Sequence, residues 1–216
     1  MLELLDCCAS DLDVVNAARV SMDKYHDALE EGDDKLIYYL MKNRHGTPFE
    51  HNFFKFRVEA PIFVFREWHR HRIGHSYNEM SGRYVELPEI FYAPEPDQIR
   101  SQEGKPGRYI YKDLKHKNEE AASIIFSASK TSFEIYRELL EMGVAKEQAR
   151  AVLPVGTHSK MIWSCNARSL MNFLELRTAP NALKEIRELA DQAELVFADK
   201  MPITYNAWVI NDKVAP

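Results

Sequence analysis

Residues 53–72 read Phe-Phe-Lys-Phe-Arg-Val-Glu-Ala-Pro-Ile-Phe-Val-Phe-Arg-Glu-Trp-His-Arg-His-Arg, and the period of the pattern changes at Pro61. Before it, Phe53, Lys55, Arg57 and Glu59 alternate with Phe54, Phe56, Val58 and Ala60, the period of a half-buried strand. Pro61 suits the first turn of a helix, since its missing N–H would find no partner there, and the spacing predicts that helix from Ile62 to about Arg72. Its last two turns would carry Arg66, Glu67, His69, Arg70, His71 and Arg72. Positive charge is favoured at the negative end of a helix dipole, but this is more charge than an end requires.

Working outward, residues 11–21 have the apolar spacing of a short helix with Ser10 or Asp11 as N-cap. Residues 33–43 repeat the design, acidic at the start and basic at the end, and His45-Gly46-Thr47-Pro48-Phe49-Glu50-His51 reads as a loop. Between residues 94 and 118, three prolines, two glycines and mostly polar side chains predict a surface excursion or mobile loop. Ala121, Ile124, Ile125, Ala128, Ser132, Ile135, Leu139 and Met142 mark a long helix that Gly143 stops. Another helix follows Asn166 and breaks at Pro180. A last one covers about residues 181–200, with a stripe of Leu183, Ile186, Ala190, Ala193 and Phe197 suited to a core or a subunit contact.

The chain has 216 residues, 45% of them hydrophobic, a length that predicts one domain spanning residues 1–216. That composition excludes a disordered chain. A net charge of −5 argues against a nucleic-acid polymer as general partner, because phosphate binding needs Lys and Arg massed on one face. Cys7, Cys8 and Cys165 form no C-x-x-C pair, which speaks against a disulfide framework or a thiolate zinc site and for a reducing compartment. No basic leader and no membrane-length apolar run is present, so a cytoplasmic protein without membrane attachment is expected.

The residues from Arg66 to Tyr84 place four arginines, three histidines and two carboxylates among hydroxyls and amides. Three chemistries compete for them. The first is a solvated helix end. The second is a metal site, since His71 and His75 are four apart and His69 adds an imidazole, although Gly74 interrupts the helix between them and Arg70 and Arg72 would repel a cation. The third is an anion site, in which guanidinium forks, the Ser76 and Ser81 hydroxyls and a glycine turn meet a phosphate.

Arg70-His71-Arg72 followed by Asn78-Glu79-Met80-Ser81-Gly82-Arg83-Tyr84 resembles the signature of the flavin-dependent thymidylate synthases, Arg-His-Arg, seven residues, Ser. Ala18-Arg19-Val20-Ser21, residues 45–51 and Ala60-Pro61-Ile62-Phe63 resemble earlier family segments. Ala149-Arg150-Ala151-Val152-Leu153-Pro154 and Asn166-Ala167-Arg168-Ser169-Leu170-Met171-Asn172-Phe173, continuing to Leu176-Arg177, resemble later ones. Two departures stand out. Eight residues, not seven, separate Arg72 from Ser81, the extra one near Gly74-His75, and Glu67 stands where the family often has Gln.

The resemblance implies an α+β fold, a central mostly antiparallel sheet flanked by long helices, in agreement with strand 53–60 among helical segments. It also implies reductive methylation of dUMP to dTMP. The carbon would come from 5,10-methylenetetrahydrofolate and the electrons from NADPH through bound FAD, with no cysteine attacking the base. Ser81, Gly82 and Arg83 would cradle the dUMP phosphate, joined by Arg150, which in the family arrives from a neighbouring subunit. Glu67 and Glu79 would lie beside the nucleotide. Arg177 would grip the uracil carbonyls and Arg70 would lie between nucleotide and flavin, so that Arg177, Ser81 and Arg70 flank the chemistry. For FAD the resemblance points to Ser21, His45, Thr47, Glu50, Arg70, His71, Arg72, Ile73, Asn78, Glu79, Asn166, Arg168 and Asn172. Asn166 also reads as a plain helix N-cap. No G-x-G-x-x-G follows a strand, which disfavours a Rossmann mode for either dinucleotide. The family assembles as homotetramers with shared active sites. Rival expectations are a nucleotide- or RNA-binding module and a hydrolase using His69, His71 and His75.

Overall fold

A computed structural model of the chain describes residues 1–216, the side chain of Lys115 excepted. The chain forms two compact units, each assembled from separated stretches: Met1–Val58, Trp68–Asn78 and Met161–Pro216 in the first, Glu59–Glu67 and Glu79–Lys160 in the second. The strands are β1 (Leu2–Cys8), β2 (Phe53–Pro61), β3 (His75–Glu79), β4 (Arg100–Lys105), β5 (Arg108–Asp113) and β6 (His158–Cys165). The helices are α1 (Asp11–Arg19), α2 (Asp33–Lys42), α3 (Ile62–Trp68), α4 (Asn118–Glu141), α5 (Lys146–Ala149), α6 (Ala167–Arg177), α7 (Lys184–Lys200) and α8 (Pro202–Ile210). One sheet has the order β1-β2-β6-β3, with β1 antiparallel to β2 and a register shift between Leu4 and Asp6. The fold is α+β, as expected. Among the described residues no helix is long and apolar enough to cross a membrane.

In β2 the alternation is realised directly, with Phe54, Phe56, Val58 and Ala60 buried. The first unit builds its core on that face. Phe56 stacks on Trp163 of β6 at 4.9 Å, and Trp163 and Trp68 both meet Phe173 of α6, at 4.9 and 4.6 Å. Phe54 meets Phe197 of α7 edge-on. Side chains of this size contribute about 1.5–3 kcal/mol each when fully buried. Ile186, Ala190, Ala193 and Phe197 of the expected stripe on α7 are buried. In the second unit Phe133 and Tyr136 of α4 pack with Ala149 and Phe91. The Tyr136 hydroxyl accepts the Leu87 N–H at 3.2 Å.

Ser10 caps α1 through the Asp13 N–H at 3.2 Å, and Gly143, at φ 84°, ends the turn after α4 as expected. Pro61 is a correction. It is the last residue of β2, not the first turn of a helix, and beyond it the Ile62 and Phe63 N–H groups donate to the Thr157 and Val155 carbonyls, so sheet-like pairing persists. The 94–118 segment is a short turn at Pro96–Gln98 followed by the hairpin β4–β5, closed at Pro106-Gly107 with Gly107 at φ 80°. Its β5 residues are exposed throughout.

Candidate active site

The helix expected to reach Arg72 stops at Trp68. Trp68 is fully buried, and the Tyr77 hydroxyl of β3 donates to the carbonyls of Trp68 and His71 at 3.3 and 2.7 Å, satisfying oxygens that another helical turn would have used. A tight turn closes with the His71 N–H on the Trp68 carbonyl, and Gly74, at φ 70°, sends the chain into β3. The Arg70-His71-Arg72 triplet therefore projects from a turn and not from helical turns. The helical spacing of His71 and His75, on which the metal reading rested, is absent. Their rings lie 5.8 Å apart, and each has a nitrogen engaged with a protein donor, Arg177 for His71 and Trp163 for His75.

Within the first unit this turn forms one wall of a cleft of about 810 Å³. Arg70, His71, Arg72, Ile73, Gly74 and His75 come from the turn, and Asn166, Arg168, Ser169 and Asn172 from the start of α6. Glu50 comes from the short helical turn Thr47–Glu50. The first residues of α6 are fixed by Asn166, whose side chain accepts the Ser169 N–H at 2.8 Å, so the N-cap reading holds. Asn172 lies one turn below Arg168 and donates to its carbonyl at 3.0 Å, the shared face expected from their spacing. The Arg168 guanidinium reaches the Glu50 carboxylate at 2.6 Å and the Pro216 carbonyl at 2.7 Å. It crosses Gly46 so closely that a Cβ there would sit 2.6 Å from its Cζ. The Ser169 hydroxyl ties the turn to α6 through the Ile73 carbonyl at 2.8 Å.

The donor set fits FAD. Arg70, Arg72 and Arg168 line the cleft with Glu50 beside a helix N-terminus, donors suited to a diphosphate. Ile73, 91% exposed, offers an apolar surface to a flat ring. The volume lies in the range of sites that enclose small ligands, about 300–1,000 Å³. Glu50, Arg70, His71, Arg72, Ile73, Asn166, Arg168 and Asn172 of the predicted flavin set thus converge here. The other five do not line this cleft. Ser21 follows α1, with its hydroxyl on the Ala18 carbonyl, and the His45 ring meets Tyr39 edge-on. Thr47 opens the turn that carries Glu50, and Asn78 and Glu79 end β3.

A second cluster lies in the second unit. After the Met80 N–H docks on the Lys160 carbonyl at 2.8 Å, Ser81 begins a turn closed by the Tyr84 N–H, and its hydroxyl accepts the Arg83 N–H at 3.3 Å. Gly82 is buried, and a Cβ there would lie 3.1 Å from Cδ of Arg150, so the stem of Arg150 packs on this turn of its own chain. Arg83 pairs with the Glu147 carboxylate at 3.1 Å, and the Arg150 Nε donates to the Glu147 carbonyl at 3.4 Å. Glu67 and Glu79 belong to this unit and are exposed; Arg70 and Arg177 belong to the first.

Electrostatics single out two imidazoles. Burial, reinforced by Arg177 and then His75, pushes the His71 pKa down to about 4. Burial pushes His75 to about 4 as well, against the opposing pull of the Ser169 carbonyl. Burial also drives the Cys165 thiol well above its ordinary value, which leaves it un-ionised and unsuited to nucleophilic attack. Gly74, His75 and Ser169 line the cleft although the resemblance did not place them in the flavin set. The one-residue excess between Arg72 and Ser81 was a signal for the first two, while nothing in the sequence marked Ser169 beyond its place inside a family-like segment.

The family described as thymidylate synthase complementing protein matches residues 3–203. The flavin-dependent thymidylate synthase of Streptomyces avermitilis is 46% identical over 228 residues, spanning 100% of this chain and 93% of its own. That of Thermosipho melanesiensis is 44% identical over 208 residues, spanning 96% and 90%. Among solved structures, the UMP/dUMP methylase PolB from Streptomyces cacaoi bound with 5-Br dUMP has a TM-score of 0.92 at 43% identity, covering 100% of this chain and 97% of that one. Similarity of this extent, over nearly the whole length of the chain, makes it a member of the flavin-dependent thymidylate synthase family.

Proposed function

We propose that the protein converts dUMP to dTMP by reductive methylation, with 5,10-methylenetetrahydrofolate as carbon donor and NADPH as reductant through bound FAD. The observation that carries the reading is the cleft in which Arg70, Arg72 and Arg168 surround the N-terminus of α6. FAD would be held by these arginines with Glu50, His71, Ile73, Asn166 and Asn172, and the chemistry it supplies when bound is hydride transfer to the pyrimidine. Ser21, His45, Thr47, Asn78 and Glu79 complete the proposed flavin set.

The chain's own residues do the rest. Ser81, Gly82 and Arg83 offer a hydroxyl, a close backbone approach and a guanidinium to the phosphate, with Arg150 packed against the same turn. Ser81 serves as a binding hydroxyl: its oxygen accepts the Arg83 N–H, and among the described residues no base is hydrogen-bonded to it. Arg177 and Arg70 would place positive charge beside the pyrimidine, where it would stabilise negative charge developing on the ring. The buried Cys165 supports chemistry without a thiolate nucleophile. Homotetrameric assembly is supported by the exposed Ile124, Phe126 and Ile135 of α4, apolar area that a monomer would leave wet.

A second reading, UMP as substrate beside dUMP, is favoured by the similarity to a methylase named for both nucleotides. One experiment addresses both. The purified protein should be yellow, its colour should bleach with NADPH, and, given the folate, it should yield the 5-methylated nucleotide from dUMP. The same assay with UMP decides the second reading. A colourless protein that takes up no added FAD would overturn the proposal.

A further inference from the structure

We infer that His71 is the positioning residue of Arg177, holding the guanidinium through Nε so that its terminal amino groups are presented to the nucleotide. The inference rests on the reading of Arg177 as the arginine that meets the pyrimidine. The Arg177 Nε lies 2.9 Å from Nε2 of His71. An arginine Nε–H can only donate, so His71 Nε2 must be bare and its proton must sit on Nδ1, which fixes the tautomer. Contact through Nε engages one edge of the guanidinium and turns its end-on pair of amino groups to another side, the geometry in which the fork can meet two carbonyl oxygens.

The imidazole is itself immobilised. Phe173 and Arg177 stand four apart on α6, so one helix face supplies both an aromatic edge, 5.0 Å from the imidazole centre, and the guanidinium. On the backbone side, the His71 carbonyl accepts the Tyr77 hydroxyl and its N–H meets the Trp68 carbonyl. Among the described residues the charged and titratable groups acting on the ring are Arg177 and His75, and with burial they keep it neutral near pH 7, so the acceptor persists under working conditions. The His71 contact thereby contributes to ordering Arg177 before the ligand arrives, so less rotamer freedom is lost on binding. The imidazole also lines the flavin cleft, so one side chain orders a wall of that cleft and aims the nucleotide's arginine.

The test uses the flavin-loaded protein and dUMP as probe, with flavin occupancy read optically in every sample. His71→Phe should weaken dUMP binding about tenfold, the loss of one hydrogen bond to a charged group, and His71→Gln, which retains an acceptor, should restore most of it. Arg177→Lys keeps the charge and lacks the Nε–H, so adding His71→Phe to it should produce no further loss. Independent, additive losses would overturn the inference. Should His71→Phe fail to fold or to hold flavin, imidazole ¹⁵N shifts of the unsubstituted protein decide: a bare Nε2 with protonated Nδ1 supports the inference, and a protonated Nε2 ends it. If Arg177→Ala binds dUMP normally, the reading of the site fails. If that variant loses dUMP and His71→Phe does not, only this inference fails.

Discussion

His71 and His75 make the acid limb of stability a residue-level property. Each is held near pKa 4 in the folded chain against an ordinary 6.5, so between those values the unfolded chain binds more protons. Stability therefore falls as pH drops from about 6.5 toward 4, and these two groups add no further loss below that. His75→Phe should flatten the decline, even though it strips the Trp163 N–H of its acceptor and lowers the melting temperature overall. Calorimetric melting at pH 7, 6 and 5 checks this, and an unchanged slope in the variant would remove His75 from the account. Two glycines of the same region separate folding from binding. Gly74 has φ 70° and faces the Ser169 hydroxyl, so Gly74→Ala should cost about 1–3 kcal/mol of stability. Gly46 has an ordinary helical backbone at φ −73° but sits under the Arg168 guanidinium. Gly46→Ala should leave the melting temperature nearly unchanged and weaken flavin binding roughly tenfold by displacing one charged contact. A fluorescence titration with FAD reads the difference.

At the scale of elements, helix ends decide most of what positions the site. Asp11, at the start of α1, is buried and accepts the N–H groups of Ile203 and Thr204 at 3.0 and 2.8 Å and the Thr204 hydroxyl at 2.6 Å, capping α8 across the fold. Asp11→Ala should cost about 1–2 kcal/mol, and since 1 kcal/mol is worth roughly 2–4 °C in a chain of this size the melting temperature should drop by several degrees. A change under one degree would refute the cap. Nothing in residues 11–21 announces this partner, because a cap between distant segments leaves no local pattern. β2 and the start of α6 were legible, the one from strict alternation and the other from Asn166 before an apolar run. The end of α3 was not, since it is set by Tyr77 and by the burial of Trp68. β6 was hidden because its buried face includes Ser159 beside Met161 and Trp163 while Ile162 points the other way. β4 and β5 carry no alternation at all, as neither face has a core to bury. For the site, the motif residues from Arg70 to Ile73 and from Asn166 to Asn172 were readable, whereas His75 and Ser169 acquire their place only from the turn at Gly74.

For the molecule as a whole, the candidate residues divide between the units: the proposed flavin cleft and Arg177 in the first, the Ser81–Arg83 turn and Arg150 in the second. Substitutions should separate accordingly. Arg83→Ala should lose dUMP affinity by tenfold or more while the protein stays yellow, because an exposed guanidinium is removed and no core is touched. Arg168→Ala should lose flavin first. Equilibrium dialysis with each ligand measures both, and a common loss of both ligands in either variant would refute the separation. Light scattering should report a mass of four chains. The tryptophans lend the chain an optical use as well. Trp163 donates to His75, a residue of the cleft wall, and stands 5.0 Å from Trp68. Indole emission overlaps flavin absorption, so a flavin seated against that wall should darken the protein's own ultraviolet fluorescence by energy transfer. Loading and release of the cofactor could then be followed in real time with no added label.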